Sequence, residues 1–287
     1  MSRRPAVAGT FYNGDPDLLT KDIEHCFLNL HGPGRIPIIH RQQERTGDVV
    51  GLVAPHAGYI YSGPAAAHAY SRLAADGLPE TVVILGPNHH GLGEAAAVAS
   101  STNWLTPLGT VHIDTEVAEA ILSTSKFARE DDEAHLKEHS IEVQIPFLQF
   151  IGGHKVKVVP ISIAHLSLGD AIELVNDLGT AIANALVGKN ALVISSTDLS
   201  HYEPQDIAKS KDAIAIEKIL ALDAEGLLKA VEANSISMCG ATGTAAAIVA
   251  CKALGATKTQ KLAYYTSGDI IGDHKQVVGY CAVSMEK

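Results

Sequence analysis

The sequence predicts a single α/β domain with a mainly parallel or mixed central sheet and helices on both faces. Three observations predict it. Short, continuous apolar runs stop abruptly at polar or Gly/Pro punctuation, as strands covered on both faces do. Between them lie segments with apolar residues at three- and four-residue spacing, the pattern of helices packed on a sheet. The two patterns alternate along 287 residues with no linker, repeat or low-complexity tract, so residues 1–287 are read as one domain.

Taken in order, residues 32–48, with two prolines and three arginines, read as an exposed loop. Residues 49–54 (VVGLVA) form the first apolar strand, closed by Pro55, His56, Ala57 and Gly58. Residues 64–75 (PAAAHAYSRLAA) predict a helix with Pro64 in its first turn, where a missing N–H is harmless. Residues 81–85 (TVVIL) predict a strand ending at the sequence GPNHHG, which carries His89 and His90. Residues 138–150 open with EHSIE and read as helical. In the strand at 156–163 (VKVVPISI), Pro160 signals a bulge or a sheet edge. Helical spacing recurs at 170–186 and 206–222, on either side of a strand at 191–196 (ALVISS) that leads into Thr197, Asp198, Leu199, Ser200 and His201. Residues 242–254 are apolar nearly all round and predict a buried helix. Strands at 261–266 and 277–284, joined by a turn-rich stretch at 267–275, complete the chain.

Composition excludes several functions. Twenty-two Lys and Arg against 32 Asp and Glu give a net charge of −10 without any basic run, so no polycationic footprint for nucleic acid is present. Aromatic residues, at 5%, supply few stacking platforms for bases. No apolar run has the roughly 18 residues a membrane span needs, and Met1, Ser2, Arg3 and Arg4 lead into Pro5 rather than into a signal-peptide core. Cys26, Cys239, Cys251 and Cys281 form no CxxC pair, which suits a reducing cytosol. A soluble cytoplasmic protein is expected. P-loop, HExxH and GxSxG sequences are missing, and Gly240, Ala241, Thr242 and Gly243 do not make GxGxxG.

Ligands of open α/β sheets collect outside the carboxyl ends of the strands. His56, His89 with His90 adjacent, and Asp198 with His201 each lie just beyond such an end, so parallel strands would bring three loops to one rim. Cys239 precedes the helix at 242–254, whose positive dipole end would lower the thiol pKa and favour thiolate; a small buried hydrophobe is the commoner fate of a cysteine. Two imidazoles and that sulfur make a His/His/Cys set suited to Fe, Cu or Zn with coordination positions left open, whereas Mg or Ca would want oxygen. His139 and Glu142, three residues apart, would share a helix face and orient a metal-bound imidazole; capping and solvation serve equally well. His68, inside an Ala-rich helix, reads as structural.

The motifs resemble those of one family. They are RPAVAGTFY at residues 4–12, APHAGYIYSG at 54–63, GPNHHG at 86–91, EHSIEVQIPFLQ at 138–149, SSTDLSHY at 195–202, MCG at 238–240, and TSGD followed by GDHKQVVGY within 266–280. On these stretches the chain resembles the Memo family, whose prokaryotic members are also called AmmeMemoRadiSam system protein B, from residue 4 to residue 282. The resemblance implies a fold related to the class III extradiol, LigB-type dioxygenases, which hold non-haem Fe(II) with two histidines and a glutamate and use a further histidine as acid/base. By motif, His56 and His89 match the ligand histidines, Cys239 falls at the carboxylate ligand, and His201 matches the acid/base histidine with Asp198 beside it. Memo proteins share the cysteine, and copper or iron has been proposed for them, so Fe(II) or Cu is the implied cofactor. Thiolate in place of carboxylate keeps the charge but changes softness and redox tuning, which points away from ring cleavage and toward other metal-dependent redox chemistry.

Two functional classes follow from the resemblance. One is an oxidoreductase in which His56, His89 and Cys239 bind metal and His201 moves protons on an unknown small molecule. The other is a binding or adaptor protein with a vestigial dioxygenase pocket, recognising a small molecule or peptide. The system name implies work beside AMMECR1-like and radical-SAM proteins. A zinc hydrolase is a third reading.

Overall fold

The structure is a computed structural model that describes residues 2–38 and 45–287. Among the described residues a nine-stranded mixed sheet forms the centre. Its strands run in the order Lys258–Thr266, Val277–Glu286, Val49–Ala54, Ala191–Ser196, Thr81–Pro87, Lys157–Ile163, Ala96–Val98 and Ala128–Glu130, with the short His201–Glu203 strand beside the start of Val277–Glu286. The four strands from Val49–Ala54 to Lys157–Ile163 are mutually parallel. Antiparallel pairs flank them on both sides. A small second sheet joins Ser2–Arg3, Asn103–Thr106 and Gly109–Val111.

Strand geometry explains the unbroken apolar runs. Successive side chains point to opposite faces, so Val53, Val83 and Leu85 enter one apolar core while Leu52, Val82 and Ile84 enter another. The first core is roofed by the helices Leu168–Leu186 and Ala241–Ala253, the second by Pro16–Leu28 and Tyr59–Asp76. Both faces are covered, and the expected α/β class with helices on both sides holds.

Several boundaries differ from expectation for identifiable reasons. The helix expected at 64–75 runs over Tyr59–Asp76, which puts Pro64 inside it. Proline loosens a helix there because it cannot donate to residue i−4 and crowds that carbonyl. The Tyr265 hydroxyl repairs the gap: it accepts the Ala65 N–H at 3.1 Å and donates to the Tyr61 carbonyl at 2.7 Å. Pro160 lies in an interior strand, not at an edge or bulge. Its carbonyl accepts the Ala99 N–H, so its ring nitrogen faces the same side, just beyond the three residues that Ala96–Val98 pairs with. The turn-rich 267–275 stretch contains a short helix, Ser267–Ile271, fixed by a capping box between Thr266 and Asp269. The loop expected at 32–48 is irregular over 32–38 and 45–48, and its remaining residues lie outside the described ones. The helix Pro16–Leu28 was not anticipated, although Asp15 caps it by accepting from the Asp17 and Leu18 N–H groups and Pro16 opens it. No helix among the described residues is long and apolar enough to cross a membrane.

Candidate metal centre

Three adjacent parallel strands set the site. Val49–Ala54 leads to His56, Ala191–Ser196 leads to Asp198, and Thr81–Pro87 leads to His89, with Ala191–Ser196 lying between the other two. The loops expected to converge do converge. The His56 and His89 ring centroids are 5.3 Å apart. His139 joins them, 5.5 Å from His56 and stacked 4.6 Å from His89. One ligand atom from each of these three histidines lies within 4.8 Å of the other two, so the group could hold a metal ion. His139, anticipated as an orienting neighbour, lies close enough to belong to that group.

Hydrogen bonding fixes the tautomers of two rings. Ser196 Oγ has one proton and donates it to the Ser140 carbonyl at 2.6 Å, while accepting from Gln144 Nε2 at 2.8 Å. It therefore accepts from His56 Nδ1–H at 3.0 Å, which leaves Nε2 of His56 as a lone pair. Buried His56 is held neutral, its pKa driven well below the usual value by burial first and by the neighbouring His139 and His89 second. Glu138 orients His89, accepting from its Nδ1 at 2.9 Å and from its backbone N–H at 2.7 Å. Burial alone would raise the Glu138 pKa, but the His89 hydrogen bond and charge and the Ser140 N–H outweigh it and hold the carboxyl well below its usual range. Burial also carries His139 down to about 4. Imidazoles whose Nδ1 is committed to an oxygen acceptor offer Nε2 to Fe, Cu or Zn, so the residues present fit such an ion.

Cys239 approaches from the other side. Its Sγ lies 3.3 Å from His56 Nε2 and accepts the Asp198 N–H at 3.3 Å. The first distance is close to the roughly 3.5 Å N···S edge of a tetrahedral site with ordinary zinc bond lengths. Cys239 does not belong to the mutual group formed by the three imidazoles. The thiolate expected from the helix dipole is overruled: burial and the Asp198 carboxylate push the thiol up to about 12. The thiol proton has two acceptors within reach, His56 Nε2 at 3.3 Å and the Asp198 carbonyl at 3.6 Å. A cation bound there would have to displace that proton.

The remaining expected residues separate. Asp198 accepts the His56 N–H at 2.8 Å, and burial raises its pKa to about 6. His201 is gripped by Ser237 instead, its backbone N–H donating to Oγ at 2.7 Å and its Nδ1 to the carbonyl at 2.8 Å. His90 turns outward and bonds the Lys137 carbonyl at 3.0 Å. Glu142 is fully buried, and its hydrogen bonds go to Arg3, Ala6, Val7 and Tyr12, with no imidazole among them. A cavity of about 620 Å³ opens beside the centre, bounded at one end by Asn88, His89 and Cys239 and walled by Leu166, Leu228 and Met238. Ser196, Gln144 and Glu138 escaped the sequence reading. Only Glu138, next to His139 in the EHSIE stretch, had a signal there.

Comparison with known proteins agrees with this architecture. The Memo-like protein family model matches residues 3–284. A MEMO1 family protein of Methanopyrus kandleri is 50% identical over 285 residues, covering 99% of this chain and 98% of its own length. Another, from Methanothermobacter thermautotrophicus, is 45% identical over 286 residues, covering 99% of this chain and 100% of its own. Among solved structures, an uncharacterized protein of Escherichia coli K12 matches with a TM-score of 0.52 at 12% identity, covering 82% of this chain and 99% of that one. That likeness speaks for the fold alone, which is LigB-like as the resemblance implied.

Proposed function

We propose that this chain, which belongs to the Memo family, is a metal-dependent oxidoreductase that uses Fe(II) or Cu to transform a small organic molecule. One observation carries the reading: three imidazoles meet at the carboxyl ends of the parallel strands, and two of them have Nδ1–H committed to oxygen acceptors. His56 and His89 are the principal ligands, with His139 and the Cys239 sulfur as further donors. A bound Fe or Cu ion supplies Lewis acidity and one-electron chemistry. The chain supplies the rest. Ser196 and Glu138 hold His56 and His89 in one tautomer. The cavity of about 620 Å³ receives the substrate and limits water around it. His201, with Nδ1–H spent on Ser237, keeps Nε2 free to accept or return a proton.

Loading under reducing, anaerobic conditions tests this reading. Elemental analysis is expected to find Fe or Cu in stoichiometric amount, lost in His56→Ala, and oxygen uptake on adding a substrate is expected to follow the metal. Protein that takes up no metal under any reducing condition overturns the reading. Stoichiometric metal without turnover of any small molecule would place the chain instead with the binding proteins, as an adaptor working beside AMMECR1-like and radical-SAM partners.

A further inference from the structure

The geometry points to a role for residues 3–12: we infer that they form a clasp that positions the His139 imidazole through the ring of Phe11. This inference rests on the proposal that His139 donates to a metal. The three imidazoles are not held alike. His56 is oriented by Ser196 and His89 by Glu138. His139 has no such partner: the nearest carboxylate oxygen, Glu138 Oε1, is 3.4 Å from its Nδ1. That oxygen already accepts from His89 Nδ1 and from the backbone N–H groups of His139 and Ser140. Two rings pack on His139: His89, stacked at 4.6 Å with planes 16° apart, and, from outside the imidazole group, Phe11, with centroids 4.6 Å apart and planes inclined at 55°.

Phe11 is itself fixed by the rest of the segment. Fully buried Glu142 accepts from Arg3 Nη1 and the Ala6 N–H, both at 2.7 Å, through one carboxylate oxygen. Through the other it accepts from the Val7 N–H at 3.0 Å and the Tyr12 hydroxyl at 2.7 Å. Arg3 also donates to the carbonyls of His135 and Glu138, each at 2.6 Å, with its guanidinium 4.1 Å over the Trp104 ring. The Phe11 carbonyl accepts the Tyr59 N–H at 2.8 Å, three residues past His56. Residues 3–12 thus tie the stretch bearing Glu138 and His139 to the loop bearing His56. Glu142 acts on the centre through Phe11 and is a positioning residue.

Co(II) titration of the full chain tests the inference in four forms: wild type, Phe11→Leu, His139→Ala and the double variant. Phe11→Leu is expected to weaken Co(II) binding about tenfold, the lower end for partners that orient a ligand. Its melting temperature is expected to stay near that of wild type, and Phe11→Tyr is expected to restore affinity. The double variant is expected to bind no more weakly than His139→Ala alone, because an effect exerted through His139 disappears once that ring is gone. An equal loss in both backgrounds, or no loss in Phe11→Leu while His139→Ala weakens binding, overturns the clasp and leaves the metal centre standing. A His139→Ala variant that binds as tightly as wild type removes His139 from the donor set and overturns the clasp with it. Glu142→Gln is expected to mimic Phe11→Leu; where it fails to fold, the Phe11 pair decides.

Discussion

The two sides of the centre are prepared differently. On one side His56 and His89 follow parallel strands, and each spends its Nδ1 proton on an oxygen acceptor. On the other, Cys239 sits in a loop before a helix with its thiol protonated and its Sγ directed at His56 Nε2. His56 is ready to donate as folded, whereas the sulfur side must first lose a proton. The contrast shows why a thiol at a helix start is not automatically a thiolate: desolvation and an adjacent carboxylate outweigh a dipole that contributes about 0.3–1 kcal/mol.

Breaking the imidazole side gives the largest effect. His56→Ala or His89→Ala is expected to weaken Co(II) or Fe(II) binding by well over the roughly 10–100-fold lost when an outer partner is removed, as read by competition titration. Cys239→Ser is expected to retain most of the metal while losing sulfur-to-metal absorption in the near ultraviolet. Equal loss in the two kinds of variant would erase the asymmetry.

Glu138→Gln comes next, with metal binding weakened about 10–100-fold through His89. It also sharpens the pH behaviour of the metal-free protein. Because the folded carboxyl is held below its ordinary value of 4.5, its contribution to stability is present above that pH and is lost as pH falls through the depressed folded value. Urea unfolding is therefore expected to show wild type more stable than Glu138→Gln at pH 7, with the gap closing in acid. A gap that persists unchanged in acid would assign the effect to packing.

Ser196→Ala is expected to lower affinity less, by about tenfold, since it frees the His56 tautomer without leaving a charge unpaired. Chemical shifts of the His56 ring nitrogens, read by nitrogen NMR on the metal-free protein, report the tautomer directly. The smallest signal is proton release: Zn(II) binding near neutral pH is expected to free about one proton from wild type and none from Cys239→Ala. Calorimetry in buffers of different ionisation enthalpy measures it. Release from the alanine variant as well would move the proton to the imidazole side.

Much of this was legible before any coordinates. His56 and His89 stood out because parallel strands deliver their loops to one rim, a rule that needs only strand ends. Asp198 and His201 came from the same rule, but it could not say that Ser237, thirty-six residues on, would hold the His201 ring. His139 was legible as a neighbour of the centre, but not as a ring close enough to His56 and His89 to join a group that could hold a metal ion. Helical spacing with Glu142 suggested a shared face, whereas a 3₁₀ turn begins only at Glu142 and leaves His139 outside it. Ser196 stayed hidden because a serine at a strand end has no pattern of its own; its meaning comes from three partners brought in by other segments. The early start of the Tyr59–Asp76 helix was hidden because the residue that tolerates Pro64 lies two hundred positions away.

That distant tyrosine has a mechanical consequence. The opening turn of the helix, directly after the loop bearing His56, has two main-chain groups satisfied by one phenol from the closing hairpin of the chain. The entrance to the crevice and the carboxyl-terminal ribbon are in that sense a single joint. Anything that peels the ribbon away withdraws a wedge from the helix and slackens the wall on which the first imidazole hangs.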